Sequence, residues 1–307
     1  LCAKDPIIMA HPYAATVLCL VLVLRMCDAE PSSLPLPFKR TLRVQTPNLA
    51  GSDVVIMQHF LNRSVRDVNI SGIYDIQTAK AIVEFQKSHH LSASDPGVFG
   101  PEEARALLSC CSADGYVDDG RPANEKGYMY KVHVRVNANR SIEHNATLFD
   151  GQGKTMFSFR VRAHGHSNLH PDAPWPVYST DDGINQFTSS GNTPTGLMSF
   201  DLNSPEDVPK LYGPYPVNRA VAGLEGNARF LLPHIRNGIL MHTGEWPGWS
   251  PPEDMPDSAG CIHSWPENIE RVYKTLVSIG VKIRLNTNGK IPYPYRPQGL
   301  LSVELIE

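Results

Sequence analysis

The chain has 307 residues, of which 41% are hydrophobic and 19% are charged, and its formal net charge at pH 7 is −3. This length and composition are those of a globular protein with room for two domains, each burying a core. Because the chain is slightly acidic, its charge balance provides no basic surface for a nucleic acid, and we expect no nucleic-acid partner.

The first predicted element is an apolar segment near the N-terminus. Residues 14–24 form an eleven-residue apolar stretch, which is too short to cross a bilayer comfortably. Small residues follow at Cys27-Asp28-Ala29, as they do before the cleavage site of a secretory signal peptide. We therefore predict a signal peptide over residues 9–29, with a membrane anchor or a buried strand as the alternatives. A signal peptide implies a secreted, extracellular protein (periplasmic or wall-associated in a bacterium), with no stable membrane insertion after cleavage.

Cysteine usage and glycosylation motifs both bear on this secretory context. Cleavage of the signal peptide would leave Cys110, Cys111 and Cys261. An odd count gives no disulfide framework, and a bond between two adjacent cysteines would be strained. We therefore expect Cys261 to be a free thiol, while the pairing of the other two stays open. Four N-x-[ST] motifs are acceptor sites for N-glycosylation, and their asparagines are Asn62, Asn69, Asn139 and Asn145.

Residues 30–45 are rich in proline and serine and are predicted to be a linker, and a helical unit follows over residues 46–110. Asp75 can cap a helix in this unit, and Gly100 and Pro101 occupy the cap and first-turn positions of another. Apolar side chains recur at helical spacing, and they include Val54, Met57, Leu61, Ala81, Ile82 and Phe85. The pattern predicts a small three-helix bundle.

This helical unit resembles the peptidoglycan-binding domain of the three-helix type. The motif positions of that family are occupied by Asp53, Val54, Gln58, Leu61, Gly72, Asp75, Thr78, Ala81, Phe85, Gln86, Gly97, Gly100 and Pro101. The chain departs from the family at His90, where a glycine is often found before Leu91. The resemblance implies that residues 46–110 bind the peptidoglycan of a bacterial cell wall.

A polar linker is predicted over residues 111–127, and beyond it the hydrophobic period changes to that of strands. The sequences YKVHVRV, TLFD and TMFSFRVRA predict three strands, the last two joined by the turn GQGK. One helix is well marked, because Ser264 and Glu267 form a capping box and Gly280 can end it. The alternating sequence VKIRL, residues 281–285, is predicted to be the last strand.

A histidine and a cysteine flank a long loop in this second region. His242 ends a predicted strand, residues 243–257 have the composition of a loop, and Cys261 lies just before the predicted helix. A nucleophilic cysteine reacts as its thiolate, and a nearby imidazole can accept the proton. Gly260 lets a substrate approach the backbone closely, and N–H groups near the cysteine could form an oxyanion hole. The ordinary alternative is a buried core cysteine and a structural histidine.

The pattern H-x15-S-x-G-C, formed by His242, Ser258, Gly260 and Cys261, resembles the catalytic signature of the L,D-transpeptidases. These enzymes use a cysteine nucleophile on peptidoglycan stem peptides. The sequence TPTG at residues 193–196 matches a T-P-x-G element of the same family.

The resemblance implies a two-step reaction. Cys261 attacks the amide between the L-centre of a diamino acid and a terminal D-residue, and a second amine or water then takes the acyl group. His242 acts as general base and later as general acid, and Thr243 orients its ring through its hydroxyl or its carbonyl. Ser258 and Gly260 support the site. No metal and no other cofactor is required.

The resemblance spans residues 128–286, and it has two departures. Ala259 stands where a histidine is frequent, and His263 stands where an arginine or asparagine is usual. The second departure bears on substrate positioning more than on nucleophilicity. It also keeps an alternative open, in which the protein recognises peptidoglycan without catalysis.

Other residues invite competing interpretations. His164, His166 and His170 could suggest a zinc site, but no second ligand cluster has metalloprotease spacing, so a solvent-exposed loop is predicted instead. Trp246 and Trp249 could line a substrate groove or anchor the proline-rich loop, and the sequence does not separate these roles.

The predicted fold class is therefore multidomain, α and β. A small three-helix bundle precedes a mostly-β, L,D-transpeptidase-like domain over residues 128–286, with one marked helix after the catalytic cysteine. Residues 287–307 are assigned to a C-terminal extension. The predicted function is that of a secreted cysteine enzyme acting on peptidoglycan stem peptides.

Overall fold

The structure is a computed structural model that describes residues 34–35, 37–91, 95–165, 185–188, 190–233, 235–244, 255–286 and 289–306. The predicted signal peptide lies outside the described residues. No helix in the described ranges is both long and apolar enough to cross a membrane. The four predicted glycosylation asparagines are all exposed, and their modification stays a prediction.

The first part of the described chain is helical, as its periodicity predicts. Its elements are Leu49–Ala50 (β1), Ser52–Ser64 (α1), Ile73–Tyr74 (β2), Ile76–Ser88 (α2) and Pro101–Ser112 (α3). The two predicted helix starts are confirmed. Thr78 N donates to Asp75 Oδ1 over 2.8 Å, and Gly100 N donates to Glu103 Oε2 over 2.8 Å ahead of Pro101. These bonds satisfy backbone groups that have no partner inside a helix.

The second part of the described chain is built on a closed sheet, in agreement with the prediction of a mostly-β region. Its strands are Tyr130–Val136 (β3), His144–Asp150 (β4), Thr155–Arg162 (β5), Gly196–Asn203 (β6), Val217–Gly223 (β7), Leu240–His242 (β8), Ile262–Ser264 (β9) and Gly299–Leu305 (β10). Within the described residues they close in the order β10-β3-β4-β5-β9-β8-β7-β6. The pairs β10–β3 and β8–β9 are parallel, and the other neighbours are antiparallel.

Short helices lie outside the sheet, together with one long helix. They are the 3-10 helix Ala123–Lys126 and the α-helices Pro209–Tyr212 (α4), Ala228–Leu231 (α5) and Pro266–Ser278 (α6). The long helix α6 agrees with the prediction, but Ser264 and Glu267 do not form the predicted capping box at its start. Ser264 belongs to β9 and donates through Oγ to Arg160 O, while Pro266 begins the helix after Trp265. Pro at the first helical position sets the start because its fixed φ already suits a helix.

The C-terminal residues differ from the prediction. Residues 299–305 are not an extension, because β10 lies between β3 and β6 and closes the sheet. Residues 281–285 do not form the predicted last strand, and Arg284 makes only an isolated bridge with Asn203. The alternation of a sequence shows that a segment suits a sheet, but long-range pairing decides which segment joins it.

The helical unit and the closed sheet share one hydrophobic core. Phe60 of α1 lies edge-on against Phe187, with ring centroids 4.4 Å apart, and against Phe230, with centroids 5.2 Å apart. Phe60 is fully buried, and buried side chains of both parts form a single cluster. Residues 33–307 accordingly form one compact unit. The expectation of two separate cores is therefore wrong, because a face of α1 that suits a bundle core also packs on the sheet region.

Residues 111–127, predicted to be a polar linker, are held along the second part of the chain. Thr195 Oγ1 donates to Asp114 Oδ2 over 2.7 Å, and Lys131 Nζ pairs with Asp118 Oδ1 at 2.7 Å. Both members of the second pair are almost fully buried. Asp114 and Asp118 therefore attach this segment to the sheet region, so it is not a free tether, although most of its residues are exposed.

Candidate active site

Strands β8 and β9 place the predicted site residues on one face of the sheet. The two strands are parallel, with Met241 beside Ile262 and His242 beside His263. Side chains alternate along a strand, so Met241 and Ile262 face the main core, where both are fully buried. The histidines and Cys261, which directly precedes β9, therefore share the opposite face. His242 and Cys261 are far apart in the sequence, and the parallel pairing of β8 with β9 brings them together.

Cys261 is a buried free thiol in contact with the main chain. Leu240 N donates to Sγ over 3.4 Å, and the thiol donates to Gly238 O over 3.5 Å. Val217 and Leu240 form a small apolar cluster with the cysteine, separate from the main core. A backbone N–H directed at sulfur stabilises a thiolate, so this position suits a nucleophile as well as a buried side chain.

His242 is oriented by the backbone of the residue that follows it. Its Nδ1 lies 2.7 Å from Thr243 O, and a carbonyl oxygen can only accept, so Nδ1 carries the proton and Nε2 keeps its lone pair. Of the two predicted roles for Thr243, the structure therefore shows the one played by the carbonyl. Tyr212 and His263 flank the ring, with centroids 5.0 and 4.7 Å from it.

The register sets the spacing between His242 and Cys261. Because His242 is beside His263, Cys261 lies two residues further back along the neighbouring strand, a rise of about 7 Å. No hydrogen bond joins the imidazole to Sγ in the part of the chain that the structure describes. The two groups are thus neighbours on one face rather than a bonded pair, and catalytic hydrogen bonds often tighten only when a substrate is present.

Ser258 and Gly260 shape the turn that presents Cys261. Ser258 Oγ donates to Cys261 O over 2.7 Å and accepts from Gly260 N over 3.0 Å. Gly260 has φ +101°, a conformation that residues with a side chain rarely adopt. The Gly260 N–H is already bonded within the turn, so an oxyanion hole would need other donors. The structure therefore places Ser258 and Gly260 in the turn before Cys261, where they position the cysteine.

The TPTG sequence reaches the same turn from a distant part of the chain. Thr193 Oγ1 donates to Gly260 O over 3.0 Å, and both residues are buried. Gly196 begins β6 with φ +120°, and a Cβ there would collide with a neighbouring backbone carbonyl. The two sequence elements that resemble one family are thus in direct contact.

A buried charged cluster under the turn was not predicted. Asp257 lies 2.8 Å from Arg162 Nη2 and 2.9 Å from His164 Nδ1, and all three side chains are nearly inaccessible to solvent. Ser258 N donates to His164 O over 3.0 Å. His164 is therefore a buried structural residue and not part of the predicted solvent-exposed loop. Buried ionic groups persist only where they are paired, so this cluster fixes the chain that enters the site.

The remaining predicted candidates fall outside the described residues. These are His166, His170, Trp246 and Trp249. No group of three His, Cys, Asp or Glu side chains that could hold a metal ion occurs among the residues the structure describes. Cys110 is an exposed free thiol and Cys111 is a buried one, so no disulfide joins them in this structure.

Burial dominates the electrostatics of the predicted pair. It raises the pKa of the Cys261 thiol to about 11, although the Leu240 N–H, Arg219 and Arg236 act in the opposite direction. Burial also lowers the pKa of His242 to about 4. At neutral pH the resting site therefore contains a thiol and an uncharged imidazole, and the thiolate forms only as its proton leaves.

The buried histidines predict a loss of stability in acid. Burial and nearby arginines lower the pKa of His144 to about 4, while an unfolded histidine titrates near 6.5. Between about pH 6.5 and 4 the unfolded chain therefore binds protons that the folded chain excludes. The free energy of unfolding should fall with decreasing pH, by up to about 1.4 kcal/mol per pH unit for each such histidine. Urea unfolding across this range measures the slope, and His144→Gln should reduce it. An equal slope in the variant would contradict this origin.

Comparisons with known proteins support one part of the sequence interpretation. Residues 50–107 match the family described as "Putative peptidoglycan binding domain". The match covers the helical unit from α1 into α3, and it confirms the predicted peptidoglycan-binding domain in this part of the chain. This domain suggests association with a cell wall.

Comparisons over the whole chain add little. No curated protein matches the chain. One solved structure is similar, a fused Zn-dependent amidase/peptidase/peptidoglycan-binding domain-containing protein from Clostridium acetobutylicum ATCC 824. The identity is 13%, the similarity covers 86% of this chain and 99% of that chain, and the TM-score is 0.25. A TM-score this low supports no argument about the fold, and the resemblance of residues 128–286 to L,D-transpeptidases stays a prediction.

Proposed function

We propose that the protein is a secreted cysteine enzyme of the L,D-transpeptidase type, which acts on peptidoglycan stem peptides through a Cys261 acyl-enzyme. The main observation that supports this proposal is that Cys261 and His242 share one face of two parallel strands, in a chain with a peptidoglycan-binding domain. The contact of Thr193 with Gly260 adds support, because it joins two sequence elements that resemble the same family.

The arrangement suggests a specific path for the proton. Sγ of Cys261 attacks the amide carbonyl before the terminal D-residue, while His242 Nε2 accepts the thiol proton. The C–N bond breaks, the protonated imidazole gives its proton to the leaving amine, and the D-residue departs. An amine or water then attacks the thioester and loses its proton to His242. Sulfur leaves as the thiolate and regains a proton from the imidazolium.

Cross-linking and hydrolysis share this acyl-enzyme, so the active-site residues favour neither outcome. The source of the chain bears on the choice. If its signal peptide and glycosylation motifs belong to a eukaryote, the wall is that of another organism, and hydrolysis is the outcome that serves digestion or defence.

A second candidate is a non-catalytic protein that recognises peptidoglycan. Two observations favour it: His263 replaces the usual arginine or asparagine, and burial keeps both members of the predicted pair uncharged. Under this proposal the helical unit still binds the wall, while Cys261 is a core residue.

Purified muropeptides with tetrapeptide stems separate the two candidates. The enzyme should release the terminal D-residue, and mass spectrometry should find an acyl adduct on Cys261, with cross-linked products when an acceptor amine is added. A carbapenem should acylate the same cysteine. Binding to insoluble peptidoglycan without release or adduct would support the non-catalytic candidate and contradict the enzyme.

A further inference from the structure

Arg236 is a buried cation beside the cysteine turn. Its side chain is among the largest that are almost fully buried in the described residues. Nη1 donates to Gln186 O over 2.6 Å and to Asn192 O over 3.2 Å, and Nη2 donates to Gly191 O over 3.0 Å and to Ala259 O over 3.3 Å. Four backbone carbonyls therefore solvate one guanidinium group.

The charge of Arg236 has no carboxylate partner among the described residues. The nearby Arg219 shows the usual arrangement, because it forms an ion pair with Glu206. Burying a cation with only carbonyl dipoles around it costs free energy. The arrangement is most favourable if a negative charge develops close to the cation during function.

Gly260 places the guanidinium next to the nucleophile. Any Cβ at Gly260 would collide with Arg236 Nη2, so the cation occupies the space that a side chain would fill. The cysteine is the next residue along the chain, and Ala259, one of the hydrogen-bond acceptors of Arg236, is two residues before it. Arg236 therefore contacts the turn on which the position of Sγ depends.

We propose that Arg236 is the positioning residue of the Cys261 nucleophile: it fixes the Ala259–Gly260 turn and supplies the positive charge that stabilises the thiolate. The inference rests on the proposed function, because a thiolate matters only if Cys261 reacts. It extends that function by assigning a role to a residue outside the H-x15-S-x-G-C pattern.

The other groups that face the sulfur do not replace this charge. Arg219 and Glu206 also act on Cys261, but they are paired and their effects oppose each other. Tyr212 is neutral at physiological pH, since burial raises its pKa. Burial lowers the pKa of Arg236 only to about 10, so it stays charged at neutral pH. Arg236 is thus the unbalanced cation near the thiol among the described groups.

The test measures the Cys261 thiol without any substrate. Wild type, Arg236→Lys and Arg236→Gln are alkylated with iodoacetamide from pH 7 to 11, and peptide mass spectrometry follows each cysteine separately. Arg236→Gln should raise the pKa of Cys261, which lowers alkylation at pH 9 about tenfold for each unit of increase. Arg236→Lys keeps the charge, so its profile should stay near that of wild type. The exposed Cys110 serves as the internal reference and should react equally in all variants.

A matched control separates charge from packing. Arg140 is buried at a similar depth and donates to Thr193 O over 3.4 Å, but it is not among the groups that act on Cys261. Arg140→Gln should lower the melting temperature without changing the thiol profile. Equal profiles for the lysine and glutamine variants of Arg236 would show that its charge has no effect and would overturn the proposal.

Folding and function can be told apart. Near-ultraviolet circular dichroism reports whether each variant is folded. If the glutamine variant is unfolded, the folded lysine variant decides, because a rise in its thiol pKa would overturn the role of the charge. Alkylation does not depend on turnover, so an inactive wild-type protein would refute the proposed function while leaving this measurement valid.

Discussion

Cys261→Ser is expected to reduce the release of the D-residue from muropeptides by about 10⁴-fold or more, as the loss of a nucleophile does in other catalytic units. A serine hydroxyl is far less acidic than a thiol. His242, whose pKa burial lowers to about 4, is too weak a base to activate such a hydroxyl. Product analysis by liquid chromatography and mass spectrometry measures the loss.

Folding and wall binding should survive this substitution. The serine hydroxyl is smaller than the thiol, and it can still donate to Gly238 O as Sγ does. Binding to insoluble peptidoglycan depends on residues 50–107 and should be unchanged in a pelleting assay. Cys110→Ser is the matched control, since it removes an exposed thiol and should keep full activity. Near-normal turnover by the Cys261 variant would show that the nucleophile is misassigned.

Local features of the structure could be predicted because local chemistry determines them. Asp75 caps α2 because a carboxylate beside a helix start satisfies a free N–H, whatever the rest of the chain does. Strands β3, β4 and β5 follow from alternation and from a short glycine turn. The candidate pair could be selected because Gly and Ser residues around a lone cysteine form a specific pattern.

Features that depend on distant contacts could not be predicted. Strand β10 joins the sheet beside β3, and no local pattern distinguishes it from the alternating residues 281–285. Arg236 is separated by 23 positions (259 − 236) from the carbonyl at Ala259 that it binds. Its only sequence signal is a charged residue between the apolar segments at residues 230–233 and 239–241. Asp257, directly before the SAGC sequence, was the one visible sign of the buried cluster.

The shared core changes how the helical unit relates to the site. Gln186 Nε2 donates to Ser112 O at the end of α3 over 3.1 Å, and the carbonyl of the same residue accepts from Arg236. Arg236 in turn holds Ala259. A short series of contacts thus connects the peptidoglycan-binding unit to the cysteine turn. The sequence predicts two domains with separate cores and a polar linker between them, but these contacts make the helical unit part of the scaffold that supports the site.

His242→Ala is expected to lower kcat by about 10²–10⁴-fold, the usual contribution of a general acid–base group. The remaining activity would depend on water as the base. Thr243→Val is the matched control. It removes a hydroxyl but keeps the carbonyl that accepts from Nδ1, so the imidazole should stay in place and most of the activity should remain. Steady-state rates on muropeptides compare the two variants.

The pH profile of the wild type tests the same assignment in a second way. The general base must be uncharged to accept the thiol proton, and burial lowers the pKa of His242 to about 4. The value of kcat/KM should therefore stay nearly constant from pH 7 to 5 and fall only as the pH approaches 4. A solvent-exposed histidine would instead give a limb near pH 6.5. A limb at that pH in the folded wild type, or a His242→Ala variant with normal turnover, would assign the base to another group, because a base with a pKa of about 4 would still be uncharged there.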